Sequence, residues 1–148
     1  MILNLNHRGA EKRLFYLSQA SNADDSIRDP LTHTIVAGAI EVHRHLGPGL
    51  LESAYEKCLS WELRQAGLAV NRQVPLPVKY KQVQLELGYP LDMLVEEQVI
   101  VELKTVERLM PIHEAQLLTY LCLTGMKKGL LLNFNSAVLK HGIKRMVL

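Results

Sequence analysis

Two carboxylates and an ammonium lie inside apolar runs of this chain, where charge is costly. One run reads Leu91-Asp92-Met93-Leu94-Val95, the other Val99-Ile100-Val101-Glu102-Leu103-Lys104. Short, nearly continuous apolar runs fit strands buried on both faces. On such a strand Glu102 and Lys104, two residues apart, share a face. Burying these ions costs several kcal/mol each in lost hydration unless something compensates. A divalent cation held by Asp92 and Glu102 would compensate, and would leave Lys104 beside it. That is the composition of a metal-dependent hydrolytic site. The competing reading is a structural ion pair, or a strand end whose charges reach solvent.

Phosphodiester hydrolysis needs an activated water, a polarised phosphorus and relief of charge on the leaving oxygen. A hard cation supplies much of this. Magnesium takes oxygen ligands, uses few carboxylates and keeps several waters. Asp92 and Glu102 on neighbouring strands could meet across the ladder, with the backbone carbonyl of Leu103 as a further ligand. Lys104 could orient the attacking water or offset charge in the transition state.

Other polar residues read differently when taken singly. Glu52, in Gly49-Leu50-Leu51-Glu52-Ser53-Ala54-Tyr55, shares a helix face with Tyr55, Leu59 and Leu63. Near a helix start it would stabilise the exposed amides and the dipole, and by itself that is the favoured reading. Gln116 and Tyr120, four apart, share one helix face with His113 a turn earlier; alone they read as the wet edge of an apolar helix. His43-Arg44-His45 closes a helix, where cations suit the dipole, and His43 and His45 point apart. His33 and His113 read as structural or surface residues. Lys127-Lys128 and the segment from Lys140 to Arg145 offer a local phosphate-binding patch, with a solvated surface as the equal alternative. No aromatic ladder for base stacking is visible.

The elements that must position these residues follow from local signals. Asp29-Pro30 starts a helix, with Asp as cap and Pro in the first turn. Leu31, Ile35, Ala39, Val42 and Leu46 continue it at helical spacing, and Gly47-Pro48-Gly49 stops it. A second helix is expected from about Leu50 to Ala66, ending at Gly67. Strands then follow. Val74 to Tyr80 has the prolines of an edge strand, and Lys81-Gln82 looks like a turn. Val83 to Val95 reads as one long strand bent near Gly88 and Pro90. Glu96-Glu97 turns into Gln98 to Lys104, completing a three-stranded antiparallel meander. Pro111 opens a third helix reaching Thr124, with Gly125 beyond it. Leu130 to Asn135 and Ile143 to Val147 are two more strands. The fold class expected is α/β (α+β): a mixed central sheet flanked by helices. Residues 1–28, weakly periodic and ending in a polar stretch, read as an N-terminal extension with a short helix around Glu11 to Ser18. Residues 29–148 read as one domain.

The chain has 148 residues with a formal net charge of +2. That is long enough for one domain with a real core, and the charge neither demands nor excludes nucleic acid. No apolar run approaches a membrane span, and the start of the chain lacks a signal-peptide pattern. The expected location is the cytoplasm, with no membrane partner. Cys58 and Cys122 fall in expected helices and read as core thiols of a reducing compartment.

Together these positions resemble a known set. Gly49-x-x-Glu52-x-x-Tyr55 is the pattern that names the GxxExxY protein family. Gly88-Tyr89-Pro90-Leu91-Asp92 and Val101-Glu102-Leu103-Lys104-Thr105 resemble the aspartate and Glu-x-Lys strands of the PD-(D/E)xK nuclease superfamily. Gln116-Leu117-Leu118-Thr119-Tyr120 is similar to the Gln-x-x-x-Tyr helix of its RecB-type exonuclease branch. The motifs are unspecific singly and specific as an ordered set, which spans residues 29–148. The set reverses the single-residue readings of Glu52 and Gln116.

The resemblance implies a restriction-endonuclease-like core of helix, three strands, helix and strand. It implies that Glu52, Asp92 and Glu102 surround one or two magnesium ions, or manganese in their place, to which the residue reading adds the Leu103 carbonyl. Lys104 would assist the water, while Gln116 and Tyr120 would orient the site or touch substrate. No role follows for Tyr55. Pro90 departs from the pattern, which has a larger residue there, and the extension before Asp29 lies outside it. The activity implied is a metal-dependent nuclease, a hydrolase acting on DNA. The alternative is a non-catalytic nuclease-like domain that binds nucleic acid or protein. A third reading leaves the chemistry to a partner. Exposed strand edges such as Ile143 to Val147 leave room for a homodimer.

Overall fold

The computed structural model describes residues 3–5, 11, 29–86 and 90–148. The strand β1 (Leu3–Leu5) lies in the segment read as an extension. The helices α1 (Pro30–Leu46) and α2 (Glu52–Gln65) follow. Next come strands β2 (Val70–Val74), β3 (Pro77–Tyr80), β4 (Val83–Glu86), β5 (Leu91–Val95) and β6 (Val99–Lys104). Helix α3 (Pro111–Thr124) crosses to β7 (Lys128–Asn133), and a 3-10 turn (Leu139–Gly142) leads into β8 (Ile143–Val147). The expected short helix around Glu11 to Ser18 falls almost wholly outside the described residues, as does Gly88.

The main sheet has five strands in the order β2-β5-β6-β7-β8. Only the β6–β7 pair is parallel, joined across α3. The expectation of a mixed sheet flanked by helices holds. Alternate residues of β6 divide two cores, as a two-residue period requires. Val99, Val101 and Leu103 face α1 and α2, where Ile35, Ala39, Tyr55, Leu59 and Leu63 are buried. Ile100 faces α3 with Leu117, Leu118 and Leu121. Glu102 and Lys104 therefore point to the α3 side, at the end of a strand buried almost throughout.

The punctuation read from the sequence sets the helix limits. Asp29 caps α1, its Oδ1 accepting the Thr32 N–H at 2.9 Å, and the Gly47 N–H closes the helix on the His43 carbonyl. α3 runs from Pro111 and ends at Gly125, whose φ of +73° is left-handed. Glu96 and Glu97 also have positive φ, +54° and +52°, as a primed hairpin turn between β5 and β6 needs. The strain is offset by two bonds to Ala69: the Glu96 carboxylate accepts its N–H at 2.7 Å, and its carbonyl accepts the Glu96 N–H at 2.8 Å.

Three expectations are corrected. The long strand Val83 to Val95 is two strands in two different sheets. β4 pairs with β3 and, through it, with β1 in a small sheet of order β1-β3-β4, whereas β5 joins the main sheet. The meander fails for the same reason, since β5 lies between β6 and β2, and β2 was not singled out as a strand of its own. Alternation of apolar residues fixes which face a strand buries and not which neighbour it takes. Finally, Cys58 is exposed and Cys122 half-buried. Cys58 lies on the outward side of α2, in a shallow groove against α1 with Leu46 and Trp61.

Candidate active site

The antiparallel ladder between β5 and β6 runs from Val95↔Val99 to Met93↔Val101 and then stops. Beyond it, side chains replace backbone bonds. The Asp92 N–H donates to Glu102 Oε1 at 3.1 Å, and the Leu103 N–H donates to Asp92 Oδ2 at 2.9 Å. The strands part at the point where the two carboxylates are inserted, and the carboxylates satisfy the freed amides. On a strand the N–H and C=O of one residue point to one edge, so the Leu103 carbonyl also faces the gap. On the other flank of Asp92, Gln73 of β2 has a φ of +51° and drops out of the β2–β5 register.

Lys104 reaches across to α3. Its Nζ donates to Gln116 Oε1 at 3.0 Å, and Gln116 Nε2 donates to the Tyr120 hydroxyl at 2.9 Å. The relay spends one of the three Lys104 donors. Glu52, the first residue of α2, comes from the opposite helix layer. It is exposed and lies within electrostatic reach of Asp92. Glu102 is 3% exposed and Asp92 and Lys104 are half-buried, so the pocket has a closed floor and an open mouth.

The charges interact strongly. Burial pushes the Glu102 carboxyl up to about 8, and the neighbouring Asp92 charge pushes in the same direction. Burial also raises Asp92, and Glu52 adds to that, while the Leu103 N–H and Lys104 oppose it. The Tyr120 hydroxyl is raised by burial and by both carboxylates. Both carboxyls are thus pushed toward the protonated form, Glu102 furthest because it is the more deeply buried.

A family model of the PD-(D/E)XK nuclease superfamily matches residues 29–146. The chain belongs to the PD-(D/E)XK nuclease superfamily. No curated protein and no solved structure matches it.

PD-(D/E)XK nucleases typically use divalent metal ions, and the residues here fit one. The donors are oxygens throughout, two carboxylates and a backbone carbonyl. A cation would relieve the burial and mutual repulsion that raise both carboxyls. Among the described residues no third His, Cys, Asp or Glu joins them in a cluster that could hold an ion. A sparse oxygen set suits magnesium, which keeps several waters.

Sequence reading missed several residues that shape this PD-(D/E)XK site. Asn133, at the end of β7 beside Lys104, is buried. Its Oδ1 accepts the Val106 N–H at 3.1 Å and its Nδ2 donates to the Val106 carbonyl at 2.8 Å, which pins the loop from Lys104 to α3. The signal was available: Asn133 ends the apolar run Leu130-Leu131-Leu132, just as Asp92 interrupts one. His43 is buried, its Nε2 lying 2.7 Å from the Ser136 carbonyl. His33 is exposed, and His113 Nδ1 accepts the Met110 N–H at the start of α3. The basic patch around Lys127-Lys128 and Lys140 to Arg145 is partly neutralised. Lys128 pairs with Asp29 at 3.0 Å and Lys144 with Glu114 at 3.4 Å.

The Glu102 proton makes stability pH-dependent. Its ordinary value is 4.5, and burial in the fold pushes it up to about 8. Between those values the folded chain holds the extra proton, so this group's contribution to stability is full below 4.5 and is lost as pH rises to about 8. The loss is on the order of a few kcal/mol. Glu102→Gln keeps the acceptor for the Asp92 N–H and cannot ionise. Without divalent cations it should melt roughly 5–10 °C above the parent at alkaline pH, the gap narrowing toward acid. Calorimetric melting across that range reads this directly. A gap that widened toward acid would contradict the upward push of burial on Glu102.

Proposed function

We propose that this chain is a metal-dependent nuclease that hydrolyses phosphodiester bonds in DNA. The supporting observation is the inserted pair Asp92 and Glu102 with Lys104 beside it, at the open end of two parted strands. Asp92, Glu102 and the Leu103 carbonyl would hold magnesium, or manganese in its place, with Glu52 contributing through water. The bound cation supplies Lewis acidity at the phosphoryl oxygen and lowers the pKa of water. Lys104, fixed by Gln116, directs its remaining donors at the attacking water or the charged phosphoryl oxygens. Gln116 and Tyr120 orient Lys104 and border the substrate. The buried floor strengthens each charge interaction within the site.

The finer placement goes with this reading. The Gly49-x-x-Glu52-x-x-Tyr55 pattern supports membership of the GxxExxY group, with residues 29–148 as the nuclease-like domain and 1–28 as an extension. Among the described residues no helix is long and apolar enough to cross a membrane. A cytoplasmic location is the reading we adopt. β8 is an edge strand of the main sheet and is the surface through which a homodimer would form, a matter for light scattering.

The test is direct. Purified protein is incubated with single- and double-stranded DNA and RNA, with magnesium or manganese, and again with chelator. Cleavage of DNA that stops on chelation and returns with the cation is the expected result. Binding without cleavage under every condition would instead identify a non-catalytic nucleic-acid-binding domain, and cleavage that survives full chelation would remove the metal from the mechanism.

A further inference from the structure

We infer that Tyr55 is a positioning residue for Glu52, and that Phe134 ties the same unit to the strand carrying Lys104. This deepens the nuclease reading and rests on it. Glu52 has an unusual problem of placement. Its carboxylate is exposed, and among the described residues it makes no hydrogen bond or ion pair; only its charge is felt, at Asp92. Its location is therefore set by where α2 begins. Helix starts are ordinarily fixed by a Ser, Thr, Asp or Asn whose side chain takes a free amide. α2 has Leu51 at that position, and no side-chain cap bond forms.

Tyr55 takes over the task from one turn inside the helix. It is fully buried. Its hydroxyl donates to the Gly47 carbonyl at 2.6 Å and accepts the Leu50 N–H at 3.0 Å. One atom thus closes the whole connection between α1 and α2, from the C-cap residue of one to the residue before the other's cap. Gly49 inside it has a φ of +102°, which a side chain would strain. The Tyr55 ring in turn stacks on Phe134, centroids 4.5 Å apart and planes 16° from parallel. The Phe134 N–H donates to the Lys104 carbonyl at 2.9 Å. A continuous path of two hydrogen bonds, one ring stack and one backbone bond therefore joins the start of α2 to the end of β6. Glu52 stands at one end of that path and Lys104 at the other, on either side of the acid pair. The hydroxyl, rather than the ring, is the part that acts on Glu52.

Tyr55→Phe separates the two, since it keeps the stack and removes both hydroxyl bonds. Amide exchange of residues 50–53 is expected to accelerate in this variant while exchange in β5 and β6 stays at the parental rate. The magnesium concentration for half-maximal cleavage is expected to rise about tenfold, as when a residue behind a metal-site group is lost, with KM for nucleic acid unchanged. Placed on Glu52→Gln, the same change should add nothing further to the magnesium requirement. A variant that melts lower yet keeps parental exchange at 50–53 and a parental magnesium requirement would overturn the inference, as would additivity with Glu52→Gln. If the parent itself neither cleaves nor binds magnesium by calorimetry, the nuclease reading has failed. The exchange comparison then decides the Tyr55 clamp: acceleration confined to 50–53 upholds it, and unchanged exchange overturns it.

Discussion

Asp92→Asn should reduce phosphodiester cleavage by about a thousandfold or more, because several kcal/mol of transition-state stabilisation go with the cation. The prediction uses asparagine for a structural reason. Asp92 Oδ2 accepts the Leu103 N–H where the ladder ends, and an asparagine oxygen can still do so. Alanine would leave that amide bare, and a loss of activity would then mix chemistry with unpaired backbone, itself worth about 1–3 kcal/mol. The neutral amide also removes a charge that raises Glu102, so the cation-free variant should be no less stable than the parent. Single-turnover cleavage, with melting and magnesium calorimetry on the same preparation, makes the test. An Asp92→Asn protein that cleaves at the parental rate would remove Asp92 from the site.

Lys104→Ala comes next in expected size, a fall of about 100- to 1000-fold in the cleavage rate, comparable to removing one pre-aimed donor from another hydrolytic site. Lys104 acts in two ways. It offers donors on the α3 side of the sheet, held there by Gln116. Its charge also opposes the upward shift of both Asp92 and Glu102, which keeps the pair ready to take a cation. Losing it should therefore slow the reaction most visibly at lower pH, where the carboxyls are held closer to their protonated form. Lys104→Met retains the aliphatic stem and should match Lys104→Ala in activity while melting closer to the parent. If Lys104→Met cleaved like the parent, packing rather than charge would be the lysine's contribution.

Much of this arrangement was legible because some signals are local. Asp29-Pro30, Gly47 and Gly125 mark helix ends through the chemistry of single residues, and the structure follows them. Asp92 and Glu102 stood out because charge inside an apolar run needs an explanation wherever the run folds. The break between β4 and β5 was not legible, since identical alternation serves strands of the same sheet or of two. β2 was obscured by Arg72 and Gln73, whose polarity made sense only once both were seen to hold the buried Glu56 of α2, at 2.9 and 2.8 Å. The Lys104–Gln116–Tyr120 relay was readable only through family resemblance, because a wet helix edge has the same pattern. Tyr55 and Phe134 meet through tertiary packing between residues remote in sequence, so the naming tyrosine carried no role until the ring stack and its hydroxyl bonds were seen.

Trp61, the chain's one tryptophan, is 60% exposed on the groove between α1 and α2. It stands nine residues beyond Glu52 along α2, roughly 13 Å by helical rise. Its emission already comes from a watery setting, so intrinsic fluorescence will respond weakly to loading of the acid pair and strongly to anything that covers the outer helices. An optical assay for the acid pair calls for a reporter placed elsewhere, and a blue shift from the native one would announce an encounter at the groove between α1 and α2.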